Sequence, residues 1–223
     1  MTEPQPAAGV PFDDDTWRQL PDFLGQLPEP VCLHVWADAA GEPAEREAAR
    51  LAATLAERFP QLSRRLFPRR ENYPYYPVIG VMGGTAEASR DDGLRLIGLP
   101  IGYQMTSLIA AIQAVAFRGQ TLEPATRIRL SRLPDDADVT IEILTAAGDE
   151  WGGVAAKAAF GMAAASARVR AYLIVTDFFP EAAARYSAAT LPHVVINRRV
   201  HYSGAPDEDA LLRHIALALK ERG

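Results

Sequence analysis

The sequence predicts an α/β protein made of two tandem copies of one unit, each a mixed β-sheet flanked by helices. Two observations carry that prediction. Short apolar runs with strand character alternate with stretches at helical spacing along the whole chain. Both halves also present them in the same order: strand, helix, strand, a proline-led strand, a hairpin strand, a glycine and a helix. A third observation permits it, since 223 residues with 48% apolar content are ample for one large domain or two small ones. The expected division is 1–30 as an N-terminal arm and helix, 31–119 as the first unit and 120–223 as the second.

Residues 1–12, with three prolines, read as an arm. Asp13 to Leu27 places Trp17, Leu20, Phe23, Leu24 and Leu27 at helical spacing, with Pro21 as an irregularity. Pro28 and Pro30 hand over to a strand, Val31 to Ala37. After the turn Asp38 to Pro43, a helix runs from Ala44 to Phe59, its apolar stripe being Ala48, Leu51, Ala52, Leu55 and Phe59. Leu62 to Phe67 reads as a second strand, and Tyr73 to Pro77 interrupts before the strand Val78 to Met82. Gly83 to Gly93 then leads to a partner strand, Leu94 to Ile97, and Tyr103 to Phe117 is a helix. A short helix over Ala125 to Leu133 lies in the connection.

The second half repeats the pattern. A strand over Val139 to Leu144 is followed by a helix from about Gly153 to Ala165 and a strand over Val169 to Val175. Asp177 is the expected cap of a short helix with Pro180 in its first turn and Tyr186 near its end. His193 to Ile196 and Val200 to Tyr202 form a hairpin about Asn197-Arg198, and the helix Asp207 to Lys220 carries acids in its first turn, with Lys220 and Arg222 at its end. The first half differs by a longer hairpin loop, because Pro77 to Gly98 spans more residues than Pro192 to Gly204.

Composition narrows the function. A net charge of −5 and a pI near 5.4 argue against nucleic acid or an anionic membrane as a partner. The basic pairs Arg64-Arg65, Arg69-Arg70 and Arg198-Arg199 read as solvated faces or turns. The single Cys32 excludes an intrachain disulfide and any Cys-x-x-Cys pair, and its place in Val31-Cys32-Leu33-His34-Val35-Trp36 makes it a small core hydrophobe. Neither a signal peptide nor a membrane span is expected, which leaves the cytoplasm as the default location. His34, His193, His201 and His214 share no ligand spacing, and His193 and His201 fall on opposite arms of the hairpin, so neither metal nor cofactor is predicted.

The loop Thr145 to Gly153 leaves a strand and enters a helix, where backbone N–H groups converge. It carries no Cys, Ser, His or Lys. Asp149 and Glu150 read either as an acid–base pair or, more simply, as acids capping the helix. Trp151 reads equally as a partner-binding aromatic or as a ring folded onto the sheet edge.

The run Leu96-Ile97-Gly98-Leu99-Pro100-Ile101-Gly102-Tyr103-Gln104-Met105-Thr106-Ser107-Leu108-Ile109 resembles the join between the two folds of tandem-thioredoxin proteins. These include glutaredoxin-like protein disulfide oxidoreductases and the N-terminal domain of the alkyl hydroperoxide reductase flavoprotein. The resemblance covers about Leu20 to Leu219 and implies two tandem thioredoxin-like folds. It further implies that a redox pair would fall on Asp149 and Gly152, around Glu150 and Trp151, and within Asp38 to Glu45 in the first half; no cysteine stands at either place. The prolines that match the family's cis position are Pro77 after Tyr76 and Pro192 after Leu191, with Thr190, Leu191, Pro192 and His193 bordering the second loop. Disulfide exchange needs an attacking thiolate and a resolving thiol, and Asp149 and Gly152 provide neither.

The expected function is therefore a redox-inactive scaffold that binds another protein as an adaptor, assembly factor or chaperone-like subunit, through the Trp151 loop and the Leu191-Pro192 turn. An accessory oxidoreductase acting through a partner, and a self-associating structural protein, are the alternatives.

Overall fold

β1 (Val31–Trp36) is buried along its whole length because strands flank it on both sides and apolar layers cover both faces. The computed structural model describes residues 14–38, 40–70 and 74–220. The arm over residues 1–12, Asp13, Tyr73 and Arg222 lie outside the described residues.

The elements follow in the order α1 (Asp14–Leu24), β1, α2 (Pro43–Arg58), β2 (Leu62–Phe67), β3 (Val78–Gly84), β4 (Ser89–Ile97), α3 (Gln104–Ala116) and α4 (Pro124–Ser131). The second half continues with β5 (Val139–Thr145), α5 (Glu150–Ala165), β6 (Val169–Val175), α6 (Pro180–Arg185), β7 (His193–Ile196), β8 (Val200–Ser203) and α7 (Glu208–Lys220). All eight strands belong to one sheet, ordered β2-β1-β3-β4-β6-β5-β7-β8. Each half contributes the same arrangement: two parallel strands, then a third antiparallel to the first, then a fourth antiparallel to the third. The halves join where β4 runs parallel to β6, with Leu94 beside Ala171, Leu96 beside Leu173 and Ile97 beside Ile174.

The period-2 alternation of the strands sends their side chains to two unequal layers. One is the main core, which the apolar stripes of α1, α2, α3, α5 and α7 close over Leu33, Val35, Leu96, Ile143 and Leu173. The other is smaller, and includes Cys32, Trp36, Ile97, Leu144, Ile174 and Val195 beneath Ala182 of α6. Between β2 and β3, the place that matches α6, the described residues form no helix. No helix among the described residues is long and apolar enough to cross a membrane.

Two local features explain departures from simple periodicity. Pro21 sits inside α1 and has no N–H for the carbonyl of Trp17; the Arg58 guanidinium donates to that oxygen instead at 2.7 Å, from a position 3.9 Å over the Trp17 ring. The extra residues of the first hairpin go mainly into its strands and not, as the sequence suggested, into its loop: the loop gains one residue, 85–88 against 197–199, because Gly84, at φ +107°, and Thr85 close a tight turn onto Ala88 and Ser89.

Leu173→Ala removes a fully buried side chain at the β4–β6 seam and is expected to cost about 2–5 kcal/mol. Denaturant titration followed separately through Trp36 and Trp151, each the sole Trp in a variant with the other two changed to Phe, should show one shared midpoint moving down; two separate midpoints would contradict a single cooperative sheet.

Candidate functional site

Asp149 occupies the N-terminus of α5 because its extended backbone (φ −92°, ψ 102°) and short carboxylate suit a cap. Its Oδ1 accepts from the Trp151 N–H at 3.0 Å and its Oδ2 from the Thr145 hydroxyl at 2.9 Å. Thr145 closes the loop from the strand side, its carbonyl accepting from both the N–H and the hydroxyl of Thr176. The position that the resemblance assigns to a first cysteine thus holds a carboxylate with both oxygens engaged. The helix begins at Glu150, earlier than Gly153 where periodicity placed it, because Asp149 caps it.

The helix start is also sterically closed. A Cβ added at Gly152 would lie 2.0 Å from Thr145 Oγ1, 2.9 Å from Thr145 Cβ and 3.0 Å from Gln104 Nε2. The position that the resemblance assigns to a second cysteine has no room for a side chain. Gln104, fully buried at the start of α3, donates its amide hydrogens to the carbonyls of Ala146 and Asp149, both at 2.8 Å, and its Oε1 accepts from the Ser107 hydroxyl at 3.0 Å. Asp177 does not cap α6, whose cap position is Phe179; its Oδ2 instead accepts from the Ala147 N–H at 2.7 Å and fixes the same loop.

Around this loop the other predicted residues fall as follows. Trp151 is 57% exposed, so its ring does not fold onto the sheet, and Glu150 is exposed beside it. The Leu191-Pro192 peptide is cis. His193 pairs with Leu144, so Pro192 stands one step further along, abreast of Thr145 at the root of the loop. Thr190 is exposed and Leu191 half-buried against the smaller core. His193 is buried, and its Nε2 lies 3.0 Å from His201 Nδ1 on the opposite arm of the predicted hairpin. They are diagonal neighbours across the hairpin. Burial first, and the His201 charge second, hold the His193 pKa below the usual histidine value. Among the described residues no group of three or more His, Cys, Asp or Glu is arranged to hold a metal ion.

In the first half the Tyr76-Pro77 peptide is likewise cis, one step past the Val78–Trp36 pair. The loop it borders holds a carboxylate that the sequence did not single out. Glu45, 1% exposed in the first turn of α2, accepts from the Asp38 N–H at 2.6 Å, the Glu42 N–H at 3.3 Å and Arg69 Nε at 2.9 Å. The bond from Arg69 is the main reason the Glu45 carboxyl is held below the usual range, against burial. An acid in the first turn of a predicted helix was a visible signal; Arg69, brought in from β2's far end, was not. Cys32 is fully buried within β1, and burial pushes its thiol pKa up, away from the reactive thiolate.

The fold recurs in solved structures. The NTD_N/C domain of alkylhydroperoxide reductase AhpF from Enterococcus faecalis is similar with a TM-score of 0.81 and 19% identity, over 92% of this chain and 99% of that one. A protein disulfide oxidoreductase from Aeropyrum pernix K1 is similar with a TM-score of 0.80 and 20% identity, over 96% of this chain and 97% of that one. Sso1120 from Sulfolobus solfataricus follows with a TM-score of 0.60 and 9% identity, over 84% of this chain and 98% of that one. The fold is therefore a tandem thioredoxin fold. No family model matches the chain, and no curated protein matches its sequence.

Two predictions follow from this geometry. Gly152→Ala is expected to lower stability by roughly 1–3 kcal/mol through overpacking against Thr145, measured by chemical denaturation. Tyr186, whose hydroxyl donates to Glu142 at 2.6 Å, has its pKa pushed up to about 12, first by burial and then by that bond. A folded-state value above the unfolded one means stability that is whole below pH ~10 and lost as pH rises toward ~12. Tyr186→Phe should flatten that alkaline loss, as read from denaturation midpoints across the window.

Proposed function

We propose that this protein is a redox-inactive tandem thioredoxin-fold scaffold that binds another protein at its second half, as an adaptor, assembly factor or chaperone-like subunit. One observation carries the reading: the position where a thioredoxin-type loop would hold its thiolate is a fully hydrogen-bonded carboxylate, Asp149, yet the exposed Trp151 and the cis-proline turn still border it. Gly152, with no room for a Cβ, supports the same reading.

The groove that remains suits contact and not electron transfer. Trp151 offers a large aromatic surface of the kind that anchors interfaces. Thr190 and Leu191 lead into Pro192, which stands abreast of Thr145 at the root of the loop, and the exposed Thr190 backbone can pair with an incoming chain. His193 lies beneath as a buried, neutral support.

A second reading is an accessory role in disulfide or peroxide metabolism through a partner that brings its own thiols. What favours it is the likeness to an alkylhydroperoxide reductase domain and a protein disulfide oxidoreductase. Cys32 is a poor participant in either reading because of its burial.

Insulin reduction by dithiothreitol separates scaffold from catalyst. The expected rate equals the protein-free blank and is unchanged by Cys32→Ser; a rate matching that of a dithiol thioredoxin would overturn the redox-inactive reading. Binding is read with reduced, carboxymethylated α-lactalbumin as the extended test chain, and Trp151→Ala is expected to weaken it by roughly tenfold, about 1.4 kcal/mol. Equal binding by wild type and variant would remove Trp151 from the contact.

A further inference from the structure

β2 is an edge strand: among the described residues it pairs with β1 on one side and with nothing on the other. The Val31 N–H donates to the Gln61 carbonyl and the Ala37 N–H to the Phe67 carbonyl, which sets the phase of the β1–β2 ladder. In that phase Ser63 and Arg65 direct their backbone groups toward β1, and Arg64 and Leu66 direct theirs outward. The outward row is an open template for one more strand.

The side chains on this edge are cationic on both faces. Arg64 and Arg65 are exposed and point to opposite sides of the sheet, and Arg70 follows just beyond the strand. Elsewhere on the surface Arg18, Arg129, Arg168, Arg170 and Arg213 each hold a carboxylate. Arg64, Arg65 and Arg70 hold none among the described residues; Arg65 lies 4.9 Å over the Phe67 ring and Arg70 4.7 Å over the Trp36 ring. Leu66, 42% exposed, adds an apolar patch between them and lines a groove with Ala37, Asp38, Phe67, Pro68 and Arg69. A net charge of −5 makes a cationic strand edge a local exception.

We propose that the free edge of β2 accepts an extended acidic segment of a partner protein as an added strand. Backbone bonds form to Arg64 and Leu66, successive carboxylates meet Arg64 and Arg65 on the two faces, and an apolar side chain lies beside Leu66. A second copy of this chain fits less well, since β2 against β2 sets the arginines against one another. This surface lies in the first half and does not depend on the Trp151 groove.

The test uses the full chain and a fluorescein-labelled peptide, Gly-Thr-Val-Glu-Glu-Val-Thr-Gly, with its counterpart carrying Lys in place of Glu. Fluorescence anisotropy should show the acidic peptide binding, the basic one not, and binding weakening as salt rises. Arg64→Glu with Arg65→Glu should weaken it by about tenfold or more with an unchanged thermal melt. In wild-type protein, amide exchange followed by NMR should slow at Arg64 and Leu66 when the acidic peptide is bound, which a purely electrostatic contact would not produce. Equal binding of the two peptides, binding without slowed exchange at those two amides, or no binding at low salt would overturn the proposal. So would aggregation of Arg64→Ser/Arg65→Ser alongside a wild type that binds no peptide, an outcome that assigns these arginines to guarding a bare edge.

Discussion

Beside the β4–β6 ladder, one buried amide ties the two halves of this molecule together. Gln104 belongs to the first half by sequence, yet its amide hydrogens close the loop of the second half at Ala146 and Asp149, and the Ser107 hydroxyl occupies its carbonyl. A buried amide is tolerated only when its donors and acceptor are met, so the α3 start and the α5 start hold each other in one arrangement. Thr145 completes the closure, leaving no room for a side chain at Gly152 and donating its hydroxyl to the Asp149 carboxylate.

Both loops also solve the same electrostatic problem. A helix N-terminus favours negative charge, and a thiolate would have drawn on that preference. Here a carboxylate takes it in each half, by different routes. Asp149 is satisfied locally, by Thr145 and its own helix, whereas Glu45 draws on Arg69 from a separate part of the chain. The first arrangement is a cap and the second is a cross-brace between α2 and the segment after β2.

What the sequence made legible was mostly local. Strand and helix periodicity placed nearly every element, because each apolar stripe packs on a single layer. The resemblance to tandem-thioredoxin proteins pointed to both prolines that are cis in the structure. The seam was not legible: Leu96 and Leu173 look like ordinary core residues, and only three-dimensional pairing makes them neighbours. Asp177 was read as a helix cap because an acid before a proline-led helix suits that role, but the Ala147 N–H lay within reach and took it. The contact of His193 with His201 was recoverable, since the turn at Asn197-Arg198 fixes the register that brings them together.

The fused sheet has a metric consequence. β1 and β5 run in the same direction, so the loops that follow them open at one end of the sheet, and β3, β4 and β6 separate the two strands. Four strand spacings set the loops about 19 Å apart. A chain that visits both must bridge that distance with roughly six extended residues. Because Gln104 and the β4–β6 ladder join the halves, that spacing is set by the fold itself and not by the length of any linker.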